Sequence, residues 1–181
     1  VARRIPSGWQ DEGNNIYLLG TTKDELDGSA WAEVIHDHLG GKPPVVELQH
    51  EKALAELLNG ASIQGLIASA HDLSDGGLAQ ALVESTLRFG VGARIWLNEI
   101  MERDQVDLTA ALFSESQGRI LISVGREDDV KFVGLCEARN IPVLRIGVTD
   151  KEDGLVIQGV AAWPLDSLAS SYSETFASHF G

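Results

Sequence analysis

Runs of apolar residues broken by glycine, proline and acidic turns divide this chain into alternating short strands and helices. Ile16–Leu19, closed by Gly20, has the length and content of a buried strand. A helix is expected after Gly28-Ser29, with Ser29 as its cap. Trp31, Val34, Ile35, His38 and Leu39 would form its apolar face, Gly40-Gly41 its end, and Pro43-Pro44 a block to resumption. Glu51–Asn59 predicts a second helix with Ala53, Leu54, Leu57 and Leu58 inward and Gly60 as its stop. Leu66–Ala70 reads as a strand feeding a turn, and residues 77–89 as a helix that buries Leu78, Ala81, Leu82 and Ser85 before Gly90.

The second half continues the alternation. Gly92–Leu97 and Arg119–Val124 read as strands, Leu108–Phe113 as a short helix or turn, and Asp128–Arg139 as a helix opened by acidic residues. Val143–Val148 and Leu155–Val160 are expected to pair as a hairpin across residues 150–154. A last helix, opened by Pro164, would align Leu165, Leu168, Tyr172 and Phe176. Two successive strands near the end break strict alternation, which favours an α+β fold, a mixed sheet with helices on its faces. Residues 1–15 are polar and turn-rich, expected as a linker or stub from an upstream domain, with one domain over 16–181.

Composition narrows the function. With 181 residues, 44% hydrophobic and 23% charged, the chain suits a soluble globular domain. No apolar run approaches the ~20 residues that span a bilayer, so no membrane is expected. The net charge of −13 is spread evenly and leaves no basic stripe, which argues against nucleic acid as a partner. One cysteine, Cys136, permits no internal disulfide and suits a cytoplasmic location.

Candidate chemistry lies in two clusters. Ala70–Leu78 reads AHDLSDGGL. A calcium loop fails on spacing, because Val83 would stand where a bidentate glutamate is required. What remains is a strand–turn–helix in which Gly76 and Gly77 admit positive φ and close approach of another group. Asp75 could cap the helix. Asp72, at the strand end, could project toward a Mg2+–phosphate complex or form a local turn hydrogen bond. The second cluster, Phe113-Ser114-Glu115-Ser116-Gln117, sets polar side chains before a buried strand, as a polar loop or as a second wall of the same cleft.

Together these motifs resemble the small-form phosphoribosylformylglycinamidine synthases. The likeness extends to Leu18-Leu19-Gly20, Glu25-Leu26-Asp27-Gly28-Ser29 and the Pro164-Leu165…Leu168 segment, and fits best the carboxy-terminal of the enzyme's two AIR-synthase-type C-lobes. AIR synthetase, selenophosphate synthetase and HypE share the Gly-Gly turn but lack the Phe-x-Glu-Ser-Gln cluster. Asn14-Asn15 and Asp27 depart from the usual glycine-bearing turns. The resemblance implies a largely antiparallel sheet of the AIR synthase C-terminal type. It implies an ATP- and Mg2+-dependent ligase of purine biosynthesis, which makes formylglycinamidine ribonucleotide from formylglycinamide ribonucleotide and glutamine-derived ammonia. Its partners would be the enzyme's own upstream domains, a glutaminase subunit and a small accessory subunit. By the same likeness Asp72 would be the metal ligand. Gly76, Gly77, Glu115, Ser116 and Gln117 would line a pseudo-symmetric substrate or nucleotide site. The family's catalytic histidine and ATP loops lie upstream of this segment, so no catalytic residue is expected here. The lobe alone is expected to be inactive and, through an exposed apolar patch, able to form a homodimer.

Overall fold

The computed structural model describes residues 4–151 and 154–180. Its elements in order are β1 (Asn15–Leu19), α1 (Ala30–His36), α2 (Leu48–Ile63), β2 (Ser69–Asp72), α3 (Gly77–Leu87), β3 (Gly92–Ile95) and α4 (Asn98–Asp104). They continue with α5 (Leu108–Phe113), β4 (Ile120–Val124), α6 (Asp129–Glu137), β5 (Val143–Asp150), β6 (Gly154–Ile157), β7 (Ala161–Pro164) and α7 (Leu165–Phe180). The strands form one sheet in the order β2-β4-β1-β5-β3-β6-β7. Its β3–β6 pair is parallel and its other pairs are antiparallel. The fold is α+β, with a mixed, largely antiparallel sheet flanked by helices.

Strand alternation builds two cores. Ile16, Leu18, Leu121, Ile146 and Ile95 face Leu78 and Leu82 of α3, Ile100 of α4 and Leu112 of α5. On the opposite face Tyr17, Leu19, Ile122 and Val124 meet Leu54 and Leu57 of α2 and Phe132 and Cys136 of α6. Asp129 fastens α6 to β1 by accepting from Asn15 Nδ2 (2.7 Å) and the Tyr17 hydroxyl (2.5 Å). Burial, reinforced by that carboxylate, pushes the Tyr17 hydroxyl above its ordinary pKa.

Several expectations change. Residues 4–14 pack on the domain: Trp9 is buried and donates to Thr86 Oγ1 at 3.3 Å, and Pro6 O accepts from Ala70 N. The β5–β6 hairpin does not form. Both edges of β5 are occupied, by β1 and β3, so β6 pairs with β3 and β7 instead. Pro164 ends edge strand β7 and directly precedes α7, so the last helix begins where expected to within one residue. Leu168 of α7 packs on the first core, Tyr172 is exposed, and the Phe176 side chain lies outside the described residues. Helix α2 runs through Gly60 to Ile63, and α4 was not anticipated. Helix α1 has its Ser29 cap, but the face expected inward points out: Val34, Ile35 and Leu39 are exposed, and Ala32 is its buried residue.

Candidate functional site

Antiparallel pairing sets Asp72 of β2 opposite Ile120 of β4, and Leu19 of β1 opposite the same residue. The end of β2, the end of β1 and the start of β4 therefore meet at one end of the sheet. The two motifs arrive there from opposite sides and lock together.

The lock has two parts. Gly77 (φ 61°) lies against the carbonyls of Leu112 and Ser114 so closely that a Cβ would collide with the Ser114 oxygen. Gly76 (φ 76°) is the N-cap residue of α3 and offers no side chain to its first turn. Asp75 does not cap the helix. The Glu115 carboxylate reaches in instead: its Oε1 accepts from Gly76 N at 2.8 Å and from Ala30 N, the first residue of α1, at 2.8 Å. One oxygen thus serves two helix N-termini, where negative charge is favoured by the peptide dipoles.

Ser116 is buried at 1% exposure. Its Oγ accepts from Lys23 N at 3.0 Å and shares a hydrogen bond with Ser114 Oγ at 2.9 Å. Gln117 is exposed, and its Nε2 donates to Glu115 O at 3.2 Å. Asp72 is exposed as well, and its Oδ2 accepts from Ser74 Oγ at 2.6 Å. That hydrogen bond, assisted by His71, holds its carboxyl below the ordinary aspartate pKa. His71 pairs through Nε2 with Glu84 at 2.9 Å and through Nδ1 with the Asp72 carbonyl oxygen at 2.6 Å. The structure therefore sets Asp72, Gly76, Gly77, Glu115, Ser116 and Gln117 at the same end of the sheet and bonds Gly76 to Glu115. The side chains of Asp72 and Gln117 are the ones left open to solvent, whereas Glu115 and Ser116 are engaged internally.

Sequence reasoning missed the group beneath. Arg119 is buried at 2% exposure, donating to Ser116 O and Ser114 O and, at 3.1 Å, to Thr22 Oγ1. Burial lowers its guanidinium pKa to about 10, opposed by the charges of Asp104, Glu25 and Glu115. Asp104 in turn accepts from Thr22 N and Arg103. An arginine opening a strand carries no signal of this in sequence. Its partners come from three separate segments. Beside Gln117, a cavity of about 420 Å3 is lined by residues that include Lys23, Glu47, His50 and Asn140. Among the described residues no group of three or more His, Cys, Asp or Glu side chains is placed to hold a metal ion.

Comparison with known proteins places this geometry. Residues 11–160 match the family described as AIR synthase related protein, C-terminal domain. The PurL subunit of phosphoribosylformylglycinamidine synthase from Leifsonia xyli subsp. xyli is 63% identical over the whole of this chain, which covers 24% of that protein. The Streptomyces coelicolor PurL subunit is 50% identical over 97% of this chain, covering 22% of its length. The chain thus spans about a quarter of the length of the curated relatives it matches. Among solved structures, Thermotoga maritima PurL complexed with FGAR superposes with a TM-score of 0.76 at 21% identity, over 91% of this chain and 29% of that one. The Escherichia coli hydrogenase maturation protein HypE gives a TM-score of 0.61 at 17% identity, over 91% of this chain and 52% of its own. At these identities the two structures speak to the fold alone. From the match over residues 11–160, the chain belongs to the AIR synthase related family and carries its C-terminal domain.

Proposed function

We propose that this chain is the carboxy-terminal AIR-synthase-type lobe of a phosphoribosylformylglycinamidine synthase, a C–N ligase of purine biosynthesis in the cytoplasm. The observation that carries the reading is the Glu115 joint. The motif that separates this enzyme from its siblings is physically bonded to the Gly-Gly turn they share, in a chain 63% identical to a PurL subunit from end to end.

In the reaction implied, the amide oxygen of formylglycinamide ribonucleotide is phosphorylated from ATP and then displaced by ammonia. Asp72 suits a metal–phosphate partner: it is an exposed, low-pKa oxygen donor, and Mg2+ on a nucleotide takes one or two carboxylates, with water and phosphate completing its shell. Bound there, Mg2+ would neutralise phosphate charge. On this reading Gly76 and Gly77 would allow backbone to approach that ligand, the exposed Gln117 side chain would supply a hydrogen bond, and Glu115 and Ser116 would hold the surrounding loops in register. T. maritima PurL has been solved with ATP and within a PurLQS assembly. By analogy the partners here are a glutaminase subunit, a small accessory subunit and the enzyme's other domains. No described helix is long and apolar enough to cross a membrane.

A chain of the relatives' length containing this lobe should form formylglycinamidine ribonucleotide from formylglycinamide ribonucleotide, ATP and ammonium. A folded full-length protein without that activity would overturn the assignment. The internal engagement of Glu115 and Ser116 favours a second reading, a lobe whose own cleft is structural or holds an auxiliary nucleotide. Asp72→Ala in the full-length enzyme separates the two. Loss of Mg-nucleotide binding supports a ligand role, and altered stability with intact binding supports the structural one.

A further inference from the structure

Apolar surface gains about 25 cal/mol per Å2 on leaving water, so a soluble lobe rarely lines several large apolar side chains along one exposed stretch. This lobe does so between α1 and the start of α2. Every residue from 33 to 49 except Pro44 is exposed. Within that stretch Val34 (78%), Leu39 (74%) and Leu48 (76%) are largely open, and Ile35, Val45 and Val46 are exposed beside them. Other exposed large apolar residues, such as Ile63, Phe89 and Val130, stand apart from one another in the chain.

The stretch is also held in shape. Ser29 Oγ accepts from Ala32 N, and Asp37, in the left-handed region, closes α1 with its own N–H. Beyond the helix, Lys42 N donates to Asp27 Oδ2 and Val45 N to Glu25 Oε1, each at 3.2 Å. Backbone tethers thus display apolar side chains outward in a set conformation, which lowers the ordering cost of burying them against something else.

Charge and length argue what that something is. A second copy would bring another −13 against this one, and like net charge opposes self-association. The relatives that match this lobe from end to end are about four times its length, since it covers 24% of the first of them. We propose that the strip Val34–Leu48 is the face on which this lobe seats an apolar surface of the remaining polypeptide of its own, longer chain. The proposal rests on the reading above only in taking that longer chain to exist; it does not depend on the reaction. The strip is also wired to the site, because α1 begins at Ala30, whose N–H shares Glu115 Oε1 with Gly76.

Hydroxyl-radical footprinting tests this directly, with the dose set by an added reference peptide. The 181-residue chain and a full-length chain containing it are labelled in parallel. Peptides covering residues 33–49 should label about fivefold less in the full-length chain, as an interdomain face would. Equal labelling in the two overturns the proposal. Equal labelling accompanied by concentration-dependent protection of the short chain overturns it in favour of a second copy. A triple variant, Val34→Ser with Ile35→Ser and Leu39→Ser, should leave unfolding of the short chain unchanged while raising labelling of residues 42–49 in the full-length chain. Destabilisation of the short chain of the size of a core substitution would show instead that the strip is internal to the lobe. The footprint is readable whether or not the full-length chain turns over substrate, so the two readings fail separately.

Discussion

At the scale of single residues, the carboxylate of Glu115 is the most consequential group in the lobe. Removing it takes away the acceptor of two backbone N–H groups, those of Ala30 and Gly76. Both donors are only partly buried, so Glu115→Ala should cost about 1 kcal/mol, the lower end of the penalty for leaving donors unmade. Glu115→Gln retains an acceptor oxygen and should cost less, and urea-denaturation midpoints of both variants check the ordering. Asp72 gives a pH-dependent counterpart. Its folded-state pKa is depressed, first by the Ser74 hydrogen bond. Any stability it confers is present above the unfolded carboxylate pKa and is lost as pH falls through the folded value, below the ordinary aspartate range. Its side chain is 72% exposed, so screening keeps this contribution small and the titration itself is the better observable. Ser74→Ala should move the Asp72 carboxyl titration, followed by NMR, up toward the ordinary value. An unmoved titration would mean that Ser74 is not the cause.

Elements add what residues cannot. Gly60 lies inside α2, sixteen residues long, at helical φ, and a Cβ there would meet nothing nearer than Arg139 Nη2 at 3.9 Å. Gly60→Ala should stabilise the lobe by about 0.5–1 kcal/mol, visible as a rise in Tm. An unchanged or lower Tm would show that the glycine serves packing. The same helix shows what was legible in sequence. Its apolar spacing revealed the inward Leu54 and Leu57, and α3 was readable almost to the residue, because each packs on this lobe's own sheet. Helix α1 was misread for the complementary reason. Periodicity reports that a helix has an apolar face, not which molecule covers it. The β5–β6 hairpin failed because pairing is decided by which edges remain free, a property of the whole sheet. In the site, glycine and aspartate advertised the turn, but the burial of Arg119 was not legible, since Thr22, 97 residues away, reaches it only after folding.

At the scale of the whole lobe, a two-sided sheet ties both cores into one cooperative unit. Cys136 offers a reporter for it. The thiol is fully buried in the second core, and burial pushes its pKa up to about 12. It should stay unreactive toward an aromatic disulfide reagent at pH 8 and become reactive in step with loss of the circular dichroism signal in urea. Reaction of the native protein without denaturant would show that α6 opens by itself. The Glu115 joint takes on a further meaning here. Its two amide partners lie 85 and 39 residues away along the chain, so it exists only when three distant segments have already found one another. No partly assembled form of this lobe can carry a partial version of that joint. A nascent or thermally opened chain therefore lacks the joint altogether, and its presence marks a completely assembled lobe.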